Sequence, residues 1–119
     1  ILYKFNSNQN VLIITEKDIA YRRSDDFPEW GIFGLGLQPG NTCVISTYRL
    51  KKKVTTQQML VRLKKVALHE IGHNLGLKHC SNHKDCLMND AKGTIQQVDR
   101  EKIWFCSKCS KVFNKKKYN

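Results

Sequence analysis

The sequence contains no apolar run long enough to cross a bilayer, and no basic, apolar and small-residue signal segment opens it. It has only 2 prolines and holds neither an internal repeat nor a low-complexity linker. These absences disfavour a membrane protein, a repeat array and a chain of linked modules. With 119 residues, the sequence predicts a single domain over residues 1–119.

Acidic residues are also few. The sequence has 10 acidic residues and 21 lysines and arginines, which gives a net charge of +11. The basic residues cluster at Lys51–Lys53 and again from Lys111 to Lys117. A basic face attracts phosphate or acidic partners, whereas a solvated surface with a basic tail needs no partner. No aromatic residues alternate with these lysines in a stacking pattern, so nucleic-acid binding is not favoured. We expect the protein to be a monomer.

Short apolar segments fill the first half of the chain. Val11 to Thr15 is β-branched and predicts a strand buried on both faces. The glycine-punctuated segment from Gly31 to Gly36 precedes a turn signal at Pro39-Gly40-Asn41. Cys43 to Leu50 then alternates and predicts another strand, and the lysines after it are typical of a sheet edge.

A long helix is predicted next. Thr55 and Gln58 form a capping box, so the helix begins near Thr56, and Gly76 is a plausible stop. Apolar residues recur along it at three- and four-residue spacing and predict one buried face: Met59, Leu60, Leu63, Val66, Ala67 and Ile71. Irregular chain follows to about Gly93. A last helix is predicted from near Asp99, with Cys106 and Cys109 on one face.

The most informative segment runs from His69 to His79. His69 and His73 are one helical turn apart, about 6 Å along the axis, so both imidazoles project from one face. A bend at Gly76 is needed for His79 to reach the same ion. Three neutral imidazoles leave the fourth position of a zinc ion open, which distinguishes a catalytic site from a structural one.

Glu70 lies next to the first of these ligands but is too far round the helix to be a good ligand itself. Zinc lowers the pKa of a bound water, and a carboxylate beside it takes the proton. The pattern therefore predicts peptide-bond hydrolysis, with Glu70 as the general base.

Four of the five cysteines form two close pairs, Cys80/Cys86 and Cys106/Cys109. Their spacing is typical of a closed structural zinc site. Two disulfides or a redox pair are the alternatives. Reduced cysteine ligands favour the cytoplasm, and Cys43 is most simply a small buried hydrophobe.

The motif His-Glu-x-x-His-x-x-Gly-x-x-His, followed by Met88, resembles the metzincin signature. Cys80 directly after the third histidine, the Cys86-Leu87-Met88 triplet and Cys106-x-x-Cys109 resemble the archaemetzincins in particular. The similarity runs from about Val11 to Phe113. That family usually has four residues between its first two cysteines, whereas this chain has residues 81–85, so His83 in this loop is an alternative ligand or a solvent-exposed side chain.

The resemblance implies an α+β metzincin fold, with a small mixed twisted sheet over a long active-site helix. It implies a C-terminal helix tied by a four-cysteine zinc site, and therefore two zinc ions per chain. It also implies that Met88 is the Met-turn residue beneath the catalytic metal. Some metzincins have a tyrosine two residues after this methionine, where this chain has Asp90. An extended peptide substrate is expected antiparallel beside an edge strand, here Cys43, Val44, Ile45, Ser46, Thr47, Tyr48 and Arg49.

Two further expectations follow. Because the chain opens with Ile1, and Ile1 to Phe5 resembles the tail of the family's first helix, we expect the natural protein to have a longer N-terminus with a further strand and much of that helix. The competing function is a zinc-stabilised basic module with a vestigial catalytic motif, binding acidic protein or nucleic acid. The presence of Glu70 beside three histidines favours the peptidase.

Overall fold

The structure, a computed structural model, describes residues 9–117. The elements in chain order are β1 Val11–Thr15, β2 Ile19–Tyr21, β3 Trp30–Ile32, β4 Gly34–Gly36, β5 Thr42–Ser46, α1 Thr56–Asn74, α2 Ile95–Arg100 and α3 Ser107–Lys117. The predicted tail of a first helix, Ile1 to Phe5, lies outside the described residues. None of the helices described in residues 9–117 is long and apolar enough to cross a membrane.

A three-stranded sheet in the order β1-β5-β4 forms the centre of the fold. β1 pairs with β5 in parallel, and β4 pairs with β5 antiparallel. β2 and β3 form a separate antiparallel hairpin. The predicted strand at Val11–Thr15 has the expected bounds, but its predicted burial on both faces is wrong, since Ile14 is 54% exposed. The reason is that α1 packs across β4 and β5 and not across β1, so within residues 9–117 little covers the apolar side chains of β1.

Helix α1 packs across β4 and β5 and supplies much of the core. Met59, Leu63, Val66 and Ala67 lie against Phe33 and Ile45, as the helical periodicity predicted, whereas Leu60 is 46% exposed. The predicted capping box at Thr55 and Gln58 is present, with bonds of 3.2 and 3.0 Å, and such a cap contributes about 1 kcal/mol.

The end of α1 is joined to the turn between β4 and β5. Asn74 Nδ2 donates to the carbonyl oxygens of Leu37 and Thr42 at 2.8 and 2.9 Å, and the Asn74 carbonyl accepts from Gly40 N–H at 3.0 Å. These bonds satisfy buried backbone groups and fix the position of α1 on the sheet.

One helix prediction at the C-terminus needs correction. A single helix from near Asp99 is wrong, because α2 ends at Arg100 and α3 begins at Ser107. Glu101 is extended, with ψ 149°, and the chain between the helices is irregular. Cys106 therefore precedes α3 instead of lying within it, and its carbonyl accepts from Ser110 N–H at 2.8 Å.

Candidate metal centre and substrate cleft

Two of the predicted ligands, His69 and His73, have fixed ring orientations. Nδ1 of His69 donates to the Leu87 carbonyl oxygen at 2.6 Å, and Nδ1 of His73 donates to the Leu77 carbonyl oxygen at 2.7 Å, since a carbonyl only accepts. Each ring therefore leaves Nε2 as the atom with a lone pair. Burial lowers the pKa of His69 to about 4 and also lowers that of His73, so both imidazoles are neutral, as metal ligands must be.

His79 reaches the same place because the chain reverses at the end of α1. Gly76 has φ +96°, and the N–H groups of Leu77 and Gly76 donate to the carbonyls of Gly72 and His73, each at 2.9 Å. This Schellman geometry favours glycine at the position of positive φ. The bend predicted at Gly76 is confirmed.

The three imidazoles converge on one point. Nε2 of His69 and Nε2 of His73 are 3.1 Å apart, and a ring nitrogen of His79 completes a group whose atoms all lie within 4.8 Å of one another. Two lone pairs facing each other at this distance repel unless they share a cation. Zinc ligands at about 2.1 Å in a tetrahedron stand about 3.4 Å apart, so the donor set fits zinc.

Glu70 lies beside these nitrogens without joining them. Its side chain is 6% exposed, and Oε1 is 3.9 Å from His73 Nε2. Burial raises the pKa of this carboxyl to about 8, and a cation held by the neighbouring histidines would lower it again and favour the carboxylate. Gly34 makes the placement possible, because a Cβ there would be 3.1 Å from Glu70 Oε2 and 3.0 Å from a Val66 methyl.

A cleft of about 450 Å³ passes these residues and is bounded by β4, α1 and the segment after Met88. The predicted substrate strand does not line it. The prediction that Cys43 to Arg49 forms the sheet edge is wrong, because β5 lies between β1 and β4 and has its backbone paired on both sides. Thr47, Tyr48 and Arg49 lie beyond the end of β5.

β4 is the edge strand that faces the cleft. Ser46 N–H donates to Phe33 O at 2.9 Å and Leu37 N–H donates to Thr42 O at 3.1 Å, so alternate residues of this segment point towards β5. Gly34 and Gly36 therefore present their N–H and C=O groups to the other side. Among the strands that the structure describes, none pairs with that side.

Arg49 has a different position from the one predicted. Its guanidinium bonds both carboxylate oxygens of Asp18, at 2.8 and 3.1 Å, just before β2. It also lies directly over the backbone of Gly31 in β3, in the space that a Cβ would need. Arg49 thus ties the β2–β3 hairpin, whose Trp30 lines the cleft, to the central sheet.

The four cysteines of the two pairs also come together. Their sulfur atoms lie within 4.8 Å of one another, with Cys80 and Cys106 3.8 Å apart, and each cysteine is a free thiol. A tetrahedron with sulfur ligands at about 2.3 Å has edges of about 3.8 Å, so this group fits zinc. His83 is outside it, since its Nδ1 accepts from Asp85 N–H at 3.1 Å and its ring contacts Trp104.

Several polar groups at the centre have no sequence signal in the motif. The Leu77 and Leu87 carbonyls are backbone groups, which no residue type identifies. Asp90 Oδ2 lies 3.8 Å from His79 Nδ1. The only available signal was the position of Asp90, two residues after Met88, where some metzincins have a tyrosine, and in this structure its carboxylate faces His79.

Known proteins resemble this chain in sequence. The model of peptidase family M54 matches residues 5–115. The archaemetzincin of Halobacterium salinarum is 34% identical over 114 residues, covering 89% of this chain and 62% of that protein. The archaemetzincin of Haloarcula marismortui is 37% identical over 108 residues, covering 84% and 58%. The chain therefore spans less than two thirds of the length of these relatives.

Solved structures share the fold. The crystal structure of archaemetzincin from Methanopyrus kandleri superposes with a TM-score of 0.81 at 27% identity, over 97% of this chain and 59% of that one. Archaemetzincin from Archaeoglobus fulgidus, crystallised with malonate, gives 0.74 at 36% identity, over 87% and 60%. The α+β fold and the family resemblance predicted from the sequence are confirmed.

Proposed function

The chain belongs to peptidase family M54, and on that premise we propose that it is a zinc-dependent peptidase with Glu70 as its general base. One observation carries the proposal: a buried carboxylate lies 3.9 Å from one of three converging imidazoles, inside a cleft with a free strand edge. The alternative, a basic binding module with a vestigial site, gives no reason for a buried carboxylate at this place.

His69, His73 and His79 are the residues that would hold the catalytic ion. Bound zinc supplies a polarised water at neutral pH and a Lewis acid for the carbonyl oxygen of the substrate. The ligands are held by groups outside the motif, because the Leu87 and Leu77 carbonyls set the rings of His69 and His73 and Asp90 faces His79.

Glu70 is the group that transfers the proton. Its carboxylate takes a proton from the attacking water and passes it to the leaving nitrogen when the peptide bond breaks. Its placement on α1, one residue after His69, and its burial beneath β4 prevent it from rotating into bulk water. Met88, fully buried beneath α1, is the proposed Met-turn residue.

An extended peptide would bind antiparallel to β4, with its backbone bonded to Gly34 and Gly36. This replaces the Cys43–Arg49 edge, since β5 has no free side. The outward N–H and C=O groups of both glycines support the proposal, as does the cleft that runs along them.

A second zinc ion would be held by Cys80, Cys86, Cys106 and Cys109. This site is closed, because four protein ligands complete a tetrahedron, and its role would be structural. The sulfur separation of 3.8 Å and the burial of Cys86, Cys106 and Cys109 support it. The monomeric state and the cytoplasmic location stay predictions.

The test is a digest of a peptide library by the chain stripped of metal and then reloaded. We expect cleavage only after zinc is restored. Equal cleavage by the metal-free chain, or none by a chain shown to hold zinc at the histidines, would contradict the proposal.

A further inference from the structure

The cleft extends beyond the imidazoles to an end that the proposed mechanism does not use. This end is lined by Lys65 and Val66 of α1, by Val98 of α2 and by Glu101 just after α2. Both charged side chains are almost fully buried, since Lys65 is 8% exposed and Glu101 is 5% exposed. Buried charges at a cleft wall need partners.

The ammonium group of Lys65 has its partners within the fold. Nζ donates to the carbonyl oxygens of Val98 at 3.1 Å and of Asp99 at 3.3 Å. These carbonyls lie in the last turn of α2, whose unpaired carbonyl groups favour a cation. Two of the three donors of the ammonium group are thereby engaged.

Glu101 is less well compensated. Oε2 accepts one bond, from Gln97 Nε2 at 3.2 Å, and among the side chains that the structure describes no cation forms an ion pair with the carboxylate. Burial raises its pKa to about 7, and the hydrogen bond from Gln97 and the more distant charge of Lys65 only partly oppose this. A cationic group entering the cleft would supply the missing counter-charge.

The direction of the substrate decides which side chain arrives there. Along β4, a Cβ on Gly34 would meet Val66, whereas a Cβ on Gly36 would meet the Glu70 carbonyl and Asn74. β4 therefore runs in the same direction as α1. A peptide antiparallel to β4 enters at the Asn74 end and leaves towards Val66, so its residue after the scissile bond faces Lys65 and Glu101.

We propose that Glu101 is a specificity-determining residue that selects lysine or arginine directly after the scissile bond. The inference rests on the proposed function and names its substrate class. The aliphatic stem packs between Val66 and Val98, and the cationic head donates to the Glu101 carboxylate in a charge-assisted bond. An acidic side chain would meet the like charge of Glu101, and the ammonium group of Lys65 is already bonded to two carbonyl oxygens.

The test uses peptides that differ only at this residue: lysine, norleucine with the same stem but no charge, and glutamate. Binding is measured by fluorescence polarisation to zinc-loaded Glu70→Ala, which requires no turnover, and kcat/KM is measured with the native chain. We expect lysine to bind about tenfold more tightly than norleucine, with glutamate weakest. Adding Glu101→Gln should bring lysine and norleucine within about twofold.

Glu16→Gln is the matched control, since it removes the same charge at an exposed position and should keep the lysine preference. Equal affinity for the norleucine and lysine peptides would overturn the inference. A lysine preference that persists in Glu101→Gln would also overturn it. A lysine preference in binding without hydrolysis by the native chain would contradict the proposed function alone. Hydrolysis without the preference would contradict only this inference.

Discussion

The side chain of Met88 lies directly against the backbone of Gly72, one residue before His73. A Cβ on Gly72 would overlap the Met88 sulfur and lie 3.1 Å from its Cε, and Met88 itself is fully buried. The turn of α1 that carries His69 and His73 therefore rests on this sulfur. Glycine is therefore required at position 72 by packing, although the motif leaves this position free.

Gly72→Ala should displace Met88 and weaken both folding and zinc retention. Overpacking of this kind lowers the free energy of unfolding by about 1–3 kcal/mol. Gly76→Ala is the contrasting variant, because its Cβ would have no atom within 4 Å and its effect is limited to backbone strain at φ +96°. Denaturation curves and zinc content measure the two. Unchanged stability and zinc in Gly72→Ala would contradict the packing role.

The two metal groups should be coupled through Cys86, Leu87 and Met88. Cys86 belongs to the cysteine group, the Leu87 carbonyl holds His69, and the Met88 carbonyl accepts from Cys80 N–H at 2.8 Å. Cys86→Ser should release the structural ion and lower zinc affinity at the histidines by about 10- to 100-fold, as loss of a supporting group does. Competition with a chelator measures this affinity.

The control for this coupling is Lys108→Ser, an exposed position between Cys106 and Cys109. It should leave both ions in place. If Cys86→Ser lost the structural ion while the histidine site kept its native affinity, the coupling would be absent.

Arg49→Met should loosen the β2–β3 hairpin. Arg49 bonds Asp18 through two nitrogens and fills the space over Gly31, so its loss removes both contacts. We expect faster hydrogen exchange of the amides of β2 and β3 than in Arg22→Met, which breaks only an exposed ion pair with Asp25. Equal exchange in the two variants would show that Arg49 does not hold the hairpin.

Glu101 should make the stability of the protein depend on pH between the ordinary pKa of a glutamate and about 7. Its pKa is raised by burial, so the folded state binds a proton more tightly than the unfolded state does. This contribution is fully present below the unfolded pKa and is lost as pH rises through about 7. The stability of Glu101→Gln relative to the native chain should therefore increase with pH across this window.

Chemical denaturation of the zinc-loaded proteins at several pH values measures that difference. Subtracting the native curve removes the pH dependence that both proteins share through their metal ligands. Glu16→Gln, at an exposed position, should show no such trend. A difference that stays constant with pH would place the Glu101 carboxyl in a solvated environment.

Local sequence signals predicted the parts of this fold that local interactions determine. The capping box at Thr55, the turn at Gly76 and the grouping of histidines and cysteines each depend on residue types at short spacing or on the family motif. Cys43 was also predicted correctly as a buried thiol, and burial raises its pKa to about 11. The bounds of β1 followed from its β-branched run.

The predictions that failed depended on pairing between distant segments. An alternating strand such as β5 looks the same at an edge and in mid-sheet, and only the parallel pairing with β1, 31 residues away at Val11↔Thr42, decides between them. Likewise, the break between α2 and α3 carries no proline or glycine from Glu101 to Cys106. There, Lys102 N–H donates to the Asp85 carbonyl at 3.1 Å and Leu87 N–H donates to the Trp104 carbonyl at 3.0 Å. These contacts with residues 85–87 override helix propensity.

The most direct test of the account compares zinc-loaded native protein with zinc-loaded Glu70→Gln on one peptide substrate. The substitution keeps the shape of the side chain and removes its ability to accept a proton. Because Glu70 is assigned as base and not as ligand, we predict unchanged zinc content and a fall in kcat of about 100- to 10,000-fold. Hydrolysis at the native rate, or loss of zinc from the histidines, would contradict the role of Glu70 and with it the proposed mechanism.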